Sequence, residues 1–423
     1  MEPTLEIAHS SGQESGHAEA MTKLADRGES TISMEPLLDG ESSRWRATLH
    51  DKALELVAAS ARLDHSLPTG IAGGLARLVR LMNCYYSNLI EGHDTHPVDI
   101  ERALHADYSK EPRKRDLQLE ARSHIAVQSW IDSGGLKGRA ATVAGISEIH
   151  RRFCEELPDS LLAIENPDSG TRHRVVPGRW REFDVAVGRH HAVSPGAVAR
   201  FMDRFEAVYA RLGKMDTILA AVTAHHRLLW IHPFADGNGR VARLMSSAML
   251  QDAMGTTGIW SIARGLARSE PAYKDRLEEC DQPRHGDLDG RGALSEEALA
   301  DFVGFFLDTC LDQVTFMERL VQPTTFVGHV IRWAEEEVAA GRLDARSDRL
   351  LEAVLVRGEL KRGDIEKVLG TSERTARRVT SALITQGAVE SDSPRAALRL
   401  GFPVKLAHHW LPGLFPEPPS ERD

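Results

Sequence analysis

The chain has 423 residues, of which 42% are hydrophobic and 27% charged, and its formal net charge is −10 at pH 7. This length suggests two or three domains with a sizeable core, and the composition is that of an ordinary soluble globular protein. The acidic balance argues against a protein that coats nucleic acid or anionic membranes. The sequence has no apolar run of about 18 residues and no basic flank with an apolar stretch at its start, so a cytoplasmic protein without a membrane partner is expected.

The cysteines give a second clue to the compartment. The sequence has four, Cys84, Cys154, Cys280 and Cys310, and no pair has C-x-x-C spacing. A disulfide framework or a structural zinc site is therefore not indicated. Buried free thiols in a reducing compartment are the expectation.

The N-terminal third is expected to change from disorder to helix. Residues 1–40 are rich in Ser, Glu, Gly and Ala and poor in large apolar side chains, which predicts a disordered segment. Residues 41–140 carry apolar side chains at helical spacing and are expected to form a helical region. One of its helices follows a periodic run from Leu75 and ends near Gly92.

The central region, residues 141–320, is also expected to be helical, with one exception. Residues 171–193 alternate apolar and polar side chains between prolines and glycines, which predicts a β-hairpin. Helices are expected to resume at Pro195, to run into the loop that begins at His232, and to restart after that loop. A long amphipathic helix is expected over 295–317.

The C-terminal part is expected to form a separate small domain. Over 343–403 the pattern predicts helix, helix, turn, helix and a short hairpin, the order of a winged helix-turn-helix domain. Three arginines on its third helix could face DNA phosphates: Arg374, Arg377 and Arg378. Nearby acidic residues dilute that charge: Glu373, Glu390 and Asp392. Docking of a protein or stabilising of a homodimer is therefore as good an interpretation as DNA binding, and residues 404–423 are expected to be a loose tail.

Residues 232–243, with the sequence HPFADGNGRVAR, carry the strongest chemical signal. Gly237, Asn238 and Gly239 tolerate positive φ and allow backbone N–H groups to converge on an anion. The loop then opens a helix, whose N-terminus favours phosphate. Arg240 and Arg243 lie three residues apart on that helix, so both are expected to face one polyphosphate.

The same stretch also offers a metal ligand and a base. The carboxylate of Asp236 is a hard oxygen ligand of the kind that Mg²⁺ prefers, and His232 has the ordinary pKa of a general base. Phe234 is expected to point into the core and anchor the loop. Each feature alone could be a turn or a helix cap, but together within 12 residues they indicate a phosphate site with metal and base.

This stretch resembles the signature of the Fic (filamentation induced by cAMP) family, HPFx(D/E)GNGRxxR, at every fixed position. The resemblance extends over roughly 34–400. It implies a mainly α fold: a Fic-type helical core with a β-hairpin flap at 171–193 that aligns the target segment like an added strand. It further implies a protein adenylyltransferase, an enzyme that transfers AMP from ATP, with Mg²⁺, onto a Ser, Thr or Tyr hydroxyl of a protein, the enzyme itself included.

Carried over position by position, the resemblance implies that His232 deprotonates the target hydroxyl and that Asp236 holds the metal. The nucleotide phosphates would be held by Gly237, Asn238, Gly239, Arg240 and Arg243. The family often has the pattern YYxxL at its adenine pocket, and the matching residues here are Tyr273, Lys274 and Leu277. Lys274 replaces the second tyrosine, and its aliphatic stem could still cover a base.

A second motif indicates regulation. Ser87 and Glu91 lie one turn apart on a helix face, and the helix end disfavours a carboxylate, so a cationic partner is expected for Glu91. The stretch 87–92 resembles the inhibitory motif (S/T)xxxE(G/N) of Fic enzymes. By that resemblance Glu91 would pair with Arg243 and occupy the space of the ATP γ-phosphate.

Two alternatives stay open beside autoinhibited AMP transfer. The same site could remove AMP from a modified protein, with Glu91 positioning water. A nucleotide-sensing transcriptional regulator that acts through the winged helix is the alternative outside enzymology, and transfer of another phosphate-containing group is weaker than either.

Overall fold

The computed structural model describes residues 24–38, 43–165, 172–256 and 258–416. Within these residues the chain is mainly helical, as expected. The helices are α1 (Arg46–His65), α2 (Thr69–Ile90), α3 (Pro97–Leu104), α4 (Pro112–Asp132), α5 (Val143–Cys154), α6 (Val198–Tyr209), α7 (Lys214–Ile231), α8 (Asn238–Met254), α9 (Ile262–Arg268), α10 (Glu270–Glu279), α11 (Glu296–Leu320), α12 (Pro323–Ala339), α13 (Ser347–Arg357), α14 (Ile365–Leu369), α15 (Glu373–Thr385) and α16 (Val404–Trp410). The strands are β1 (Ala163–Glu165), β2 (Arg172–Arg174), β3 (Ala186–Val187), β4 (His190–His191), β5 (Glu359–Leu360), β6 (Val389–Glu390) and β7 (Leu398–Leu400).

Helices α7 and α8 form the centre of the core, on either side of the loop that begins at His232. Small residues such as Ala220, Ala221 and Ala224 bury one face of α7 and let its neighbours approach closely. Helix α11, capped by the Ser295 side chain on the Ala298 N–H group at 3.0 Å, packs against α1, α7, α9 and α10. None of the described helices combines the length and apolarity needed to cross a bilayer. All four cysteines are buried and free, as predicted.

The segment expected to be disordered is ordered over 24–38. Met34 and Leu37 are buried, and the Tyr209 hydroxyl donates to the Leu37 carbonyl at 2.6 Å. The prediction of disorder over 1–40 is therefore wrong for these residues, because two apolar anchors and many polar contacts compensate for the low hydrophobic content. Residues 1–23 and 39–40 lie outside the described part.

The predicted hairpin is present but shorter than expected. Strands β3 and β4 pair antiparallel, with Ala186 opposite His191, and we keep the name flap for residues 186–191. Strand β2 pairs instead with β1, which lies before the expected hairpin. The stretch between β2 and β3 is irregular because Pro177 and Gly178, with φ of 74°, break the alternation. Thr171 lies outside the described residues.

The C-terminal unit packs on helix α2. It runs helix α13, strand β5, helices α14 and α15, then β6 and β7, and its sheet has the order β5-β7-β6. At Gly74 of α2 an added Cβ would lie 2.7 Å from the Phe402 ring, so the two surfaces are in direct contact. This element order is compatible with the winged helix-turn-helix expected at 343–403, which stays a prediction.

The expected loose tail is ordered through residue 416. Trp410 of α16 and Leu414 are buried, and the Trp410 ring meets the Trp333 ring edge to face at 5.4 Å. The prediction was wrong for 404–416 because these apolar side chains cover α12 and the end of α2. Residues 417–423 lie outside the described part of the chain.

Candidate active site

The loop between α7 and α8 reverses the chain at two left-handed residues. His232 has φ of 51° and ψ of 60°, and its N–H group donates to the Leu228 carbonyl at 2.9 Å, closing α7. Gly237 has φ of 79° and precedes the first residue of α8, Asn238. Because a helix leaves its first N–H groups without internal partners, the loop exposes an anion-binding end of α8 beside His232.

The side chain of Asn238 holds the loop closed. Its Oδ1 accepts from the Phe234 N–H group at 3.0 Å, and its Nδ2 donates to the Phe234 carbonyl at 2.9 Å. Phe234 itself is buried, as predicted, and stacks on the His150 ring with 3.9 Å between centroids. Both polar groups of the Asn238 side chain thus serve the loop backbone, and phosphate binding by this residue stays a prediction. Its backbone amide stays available for that role.

Arg181, which was not predicted from the sequence, stabilises the loop by binding backbone carbonyls. Its guanidinium donates to the carbonyls of His232 at 2.7 Å and Phe183 at 2.8 Å, and also to that of Val193. Its own amide donates to the Pro233 carbonyl at 2.9 Å. Burial lowers the pKa of Arg181 to about 10, so it remains charged at pH 7. No sequence signal pointed to it, since its partners are backbone groups far along the chain.

His150 is a second support that the sequence did not reveal. Its Nδ1 accepts from the Gly178 N–H group at 2.9 Å, which leaves Nε2 to donate to the Asp236 carbonyl at 3.2 Å. Burial lowers the pKa of His150 to about 4, so the ring is neutral at pH 7 and keeps this tautomer. The imidazole thus joins the loop to the stretch that follows β2.

His232 has the protonation state that a base requires. Its Nδ1 lies 3.3 Å from the Leu229 carbonyl, which fixes the proton on that nitrogen and leaves Nε2 as the unprotonated one. Burial lowers the pKa of His232 to about 4, although the Leu229 carbonyl opposes the shift. The ring is therefore neutral at pH 7 and able to accept a proton.

A cleft of about 480 Å³ lies in front of His232. That size suits a nucleotide. It brings together residues from α2, the flap, α7, α8 and α10. Among its lining residues are Glu91, Val187, His190, His232, Gly239, Arg243, Tyr273, Lys274, Leu277 and Asp281. The structure thus places the predicted base, one motif arginine and all three residues of the expected adenine pocket around one space.

The residues of the expected adenine pocket differ in how tightly their side chains are held. Tyr273 is buried, and its hydroxyl is 2.6 Å from His225 Nε2, so it is fixed in the wall. Lys274 pairs with Glu270 one helical turn earlier at 2.6 Å. Lys274 lines the cleft, and 58% of its side chain is exposed.

Glu91 lies on the anion-binding end of α8, paired with Arg243. The Arg243 Nη2 group donates to Glu91 Oε1 at 2.5 Å, and Nε donates to the Ser87 hydroxyl at 2.9 Å. Burial favours a raised pKa for Glu91, but the charges of Arg243 and Arg240 outweigh it and lower the pKa below 4.5. Glu91 is therefore ionised at pH 7. A Cβ at Gly239 would lie 2.5 Å from Glu91 Oε1, so a side chain there would force the carboxylate to move.

Arg240 does not face the cleft with Arg243. It is buried against the carboxylate of Glu120 on α4, and its guanidinium lies 4.9 Å from the Phe153 ring centroid. Its Nη2 group is 3.5 Å from Asp236 Oδ2. Because Arg240 is held against a buried carboxylate distant in sequence, only Arg243 of the two lines the cleft here. Binding of a polyphosphate by both arginines stays a prediction.

Asp236 is the candidate metal ligand. Its side chain is 52% exposed, and it lies at the start of α8. One carboxylate together with substrate phosphates and water is a usual ligand set for Mg²⁺, so this residue fits the role. Among the described residues no group of three or more His, Cys, Asp or Glu side chains could hold a metal by itself.

Comparison with known proteins gives the relatives of this chain. The Fic/DOC family model matches residues 141–250. The protein adenylyltransferase Fic of Nematostella vectensis is 30% identical over 210 residues, which are 48% of this chain and 43% of that protein. Its namesake in Drosophila ananassae is 28% identical over 171 residues, 40% of this chain and 31% of that protein. The chain therefore spans less than half the length of these curated relatives.

Solved structures agree on the fold. A Fic family protein from Desulfovibrio desulfuricans G20 superposes with a TM-score of 0.50 at 18% identity, covering 86% of this chain and 98% of that one. Fic-1 from C. elegans has a TM-score of 0.50 at 16% identity, over 66% of this chain and 74% of that chain. The chain has the fold of Fic proteins, and its residues 141–250 form a Fic/DOC-family domain.

Proposed function

We propose that the chain is a protein adenylyltransferase that transfers AMP from ATP to a protein hydroxyl and is held inactive by Glu91. One observation carries the proposal: the neutral His232 shares a nucleotide-sized cleft with the anion-binding end of α8 and with Arg243. The named adenylyltransferases among its relatives support ATP as the nucleotide. Proteins with hydroxyl side chains, this chain included, are the proposed targets.

The proposed chemistry begins with a proton transfer. The Nε2 atom of His232 takes the proton of the target hydroxyl, whose oxygen attacks the α-phosphorus of ATP. The bond from that phosphorus to the bridging oxygen of the β-phosphate breaks, and pyrophosphate leaves with the electron pair. Because phosphoryl centres need mainly positioning and charge stabilisation, the rigid loop around His232 is the main contribution of the fold.

The start of α8 would stabilise the phosphate charge. The free amides of its first turn and its dipole favour oxyanions, and Gly239 leaves room for them because it lacks a side chain. Asp236 would hold Mg²⁺, which when bound neutralises phosphate charge. Arg243 would hold the terminal phosphate once its charge is no longer taken by Glu91.

Inhibition follows from the position of Glu91. Its carboxylate contacts both Gly239 and Arg243, the two groups that an incoming terminal phosphate would need. Two anions in one site repel each other and compete for one arginine. ATP bound beside Glu91 would therefore be displaced from the pose that His232 requires.

The test is incubation of the full chain with ATP labelled on the α-phosphate and Mg²⁺, followed by detection of labelled protein. Glu91→Gly is expected to raise labelling about a hundredfold, since losing a competing anion shifts the bound pose. Adding His232→Ala is expected to lower it again by about a thousandfold, because general-base catalysis is lost.

The matched control is Glu156→Gly, which removes a glutamate whose arginine partner, Arg122, lies on the surface. Its labelling should equal that of the parent. Equal labelling with and without His232 would contradict the mechanism, and unchanged labelling in Glu91→Gly would contradict the inhibition.

Removal of AMP by the same cleft is the second candidate. The Glu91 carboxylate is 28% exposed and lines the cleft, so it could orient a water molecule toward the α-phosphorus. In that case Glu91→Gly would lose release of AMP from a modified protein while it gains transfer.

The C-terminal unit, proposed as a winged helix-turn-helix, gives weaker support to a transcriptional regulator. Two of the three arginines on α15 are already paired, Arg377 with Glu373 and Arg378 with Asp344. We propose docking or dimer contact for this unit. Salt-sensitive, sequence-selective DNA binding by the full chain would favour the regulator instead.

A further inference from the structure

We propose that residues 24–30 form a strap that fixes the base of the flap and so positions the target hydroxyl for transfer. The proposal rests on the proposed function for its effect on the reaction. Its structural part, control of the flap, can be measured independently. The strap would act through other residues, since it does not line the cleft.

Arg27 ties together the two ends of the flap. Its Nη1 group donates to Asp184 Oδ1 at 2.7 Å, just before β3, and its Nη2 group donates to the Ala192 carbonyl at 2.9 Å, just after β4. One guanidinium therefore bridges the residues on both sides of the hairpin. A planar fork with fixed donors suits this role better than a single ammonium group.

Glu29 provides a second attachment of the strap, at Ser194, which follows the flap. Its two carboxylate oxygens accept from the amide of Ser194 at 2.8 Å and from the hydroxyl of Ser194 at 2.6 Å. The Arg27 amide donates to the same hydroxyl at 3.1 Å, and its Nε group lies 3.0 Å from Glu29 Oε1. Burial favours a raised pKa for Glu29, but the bonds from Ser194 outweigh it and lower the pKa to about 2. The carboxylate is thus ionised at any working pH.

The strap is anchored to the core on its other side. Arg200 of α6 binds the Asp26 carboxylate through two bonds of 2.6 and 2.8 Å, and donates to the Glu29 carbonyl at 2.8 Å. The Ala25 carbonyl accepts from the Gly196 N–H group at 2.8 Å. Force applied to the flap base would therefore be carried through the strap into α6.

The flap needs such support because it is small and exposed. Its strands have two residues each, and Val187 at its tip is 51% exposed. A two-stranded ribbon of this size is at best marginally stable alone. Other attachments of the flap lie on its cleft side. They join His190 to the Trp230 carbonyl at 2.7 Å and to Asp281 at 3.6 Å, and Arg189 to Glu278.

The strap and Arg181, which supports His232, bind adjacent residues at the two ends of the flap. Arg181, which holds the His232 carbonyl, also donates to the carbonyls of Phe183 and Val193. These two residues are the chain neighbours of Asp184 and Ala192, which Arg27 binds from the outside. The residues at the two ends of the flap are thus held between two arginines. Arg181, on the inner side, also binds the His232 carbonyl, and Arg27, on the strap, binds from the outer side.

The test compares Arg27→Ala and Arg27→Lys with the unaltered strap, both in the full-length Glu91→Gly chain. Hydrogen exchange of the amides at 183–194 is expected to become about tenfold faster in Arg27→Ala, because two charge-assisted bonds are lost. Arg27→Lys keeps the charge but cannot bridge both ends, so an intermediate rate is expected.

The reaction is read in the same samples. AMP transfer is expected to fall about tenfold in its maximal rate, while the Kd for ATP stays within about twofold, because only alignment of the target is disturbed. The control is Arg342→Ala, which removes an exposed arginine paired with Glu337 far from the flap. It should change neither readout, and an unchanged melting temperature of the core should accompany Arg27→Ala.

Each outcome decides a separate point. Unchanged exchange at 183–194 in Arg27→Ala would overturn the strap, and so would faster exchange with undiminished transfer. A loss of ATP binding equal to the loss of transfer would also overturn it, because a general structural effect would then suffice. If the Glu91→Gly chain itself transfers no AMP, the proposed function fails, and the exchange rates still decide whether the strap holds the flap.

Discussion

The catalytic loop and the end of helix α2 meet at one point but are held in different ways. The loop is fixed by buried side chains that bind its backbone, those of Asn238, Arg181 and His150. Glu91 reaches it mainly through one pair of side chains, with Arg243, and keeps 28% of its own side chain exposed. The proposed chemistry would therefore rest on a rigid frame, whereas the proposed inhibition would depend on a contact that can be separated from it.

The largest effect should come from breaking the frame. Asn238→Ala leaves an N–H and a carbonyl of Phe234 unsatisfied in the core, which should lower the free energy of unfolding by about 2–4 kcal/mol. In the Glu91→Gly background, transfer should fall at least about a hundredfold, because a misplaced base loses its near-attack geometry. Denaturant unfolding and the labelling assay measure the two.

Asn88→Ala is the matched control for that change. Asn88 is also a buried asparagine, but it lies on α2, where its amide donates only weakly, to Cys84 Sγ at 3.9 Å. Its replacement should destabilise the chain less than that of Asn238. An equal loss for both would mean that the loop is no more tightly held than the helix end.

Low pH should destabilise the protein through the two buried histidines that form and support the loop. Burial lowers the pKa of His232 in the loop and of His150 on α5, which supports it, from the usual 6.5 to about 4. The unfolded chain therefore binds protons that the folded chain refuses, so stability is complete above pH 6.5 and is lost as the pH falls toward 4. The charges of Arg243 and Arg240 hold the pKa of Glu91 below its usual range, so its pair with Arg243 is ionised at neutral pH.

Two measurements across pH check the effect of these histidines. The free energy of unfolding should decrease from pH 6.5 to pH 4, and His150→Gln should flatten part of that slope. The transfer rate of Glu91→Gly should show its acidic limb near pH 4, since His232 stays neutral above it. An acidic limb near pH 6.5 would show that burial does not control the base.

The smallest effect should come from trimming the contact on α2. Ser87→Ala removes the bond from Arg243 Nε at 2.9 Å but leaves the pair with Glu91 intact. Basal labelling should rise by only about threefold, as expected for one hydrogen bond. Ser133→Ala, which removes a serine bonded to its own helix at 2.7 Å, should leave labelling unchanged. A rise as large as that of Glu91→Gly would assign the inhibition to the serine.

What the sequence could predict here was local. The motif at 232–243 fixes its own loop through glycines, an asparagine and a phenylalanine within a few residues, so its position between two helices followed directly. The pairing of Glu91 with Arg243 was expected from the resemblance to the family, and the structure brings the two side chains together.

What could not be predicted depends on partners far apart in the chain. Glu120, which pairs with Arg240, lies on α4, with three helices between it and the motif, and nothing in local spacing connects them. Arg181 binds only backbone carbonyls, which have no sequence signature. Residues 24–38 resemble a disordered segment by composition, and their order comes from contacts with α6 and the flap base.

The absence of a side chain at Gly239 limits how the proposed inhibition could be relieved by mutation. Any residue larger than glycine there would push the Glu91 carboxylate aside, since its Cβ would lie 2.5 Å from Oε1. The same atom would also fill the place of the proposed phosphate, so a change at 239 would displace the carboxylate and hinder the substrate together. A genetic selection for permanently active variants should therefore return substitutions of Glu91, at the end of α2, and none at 239.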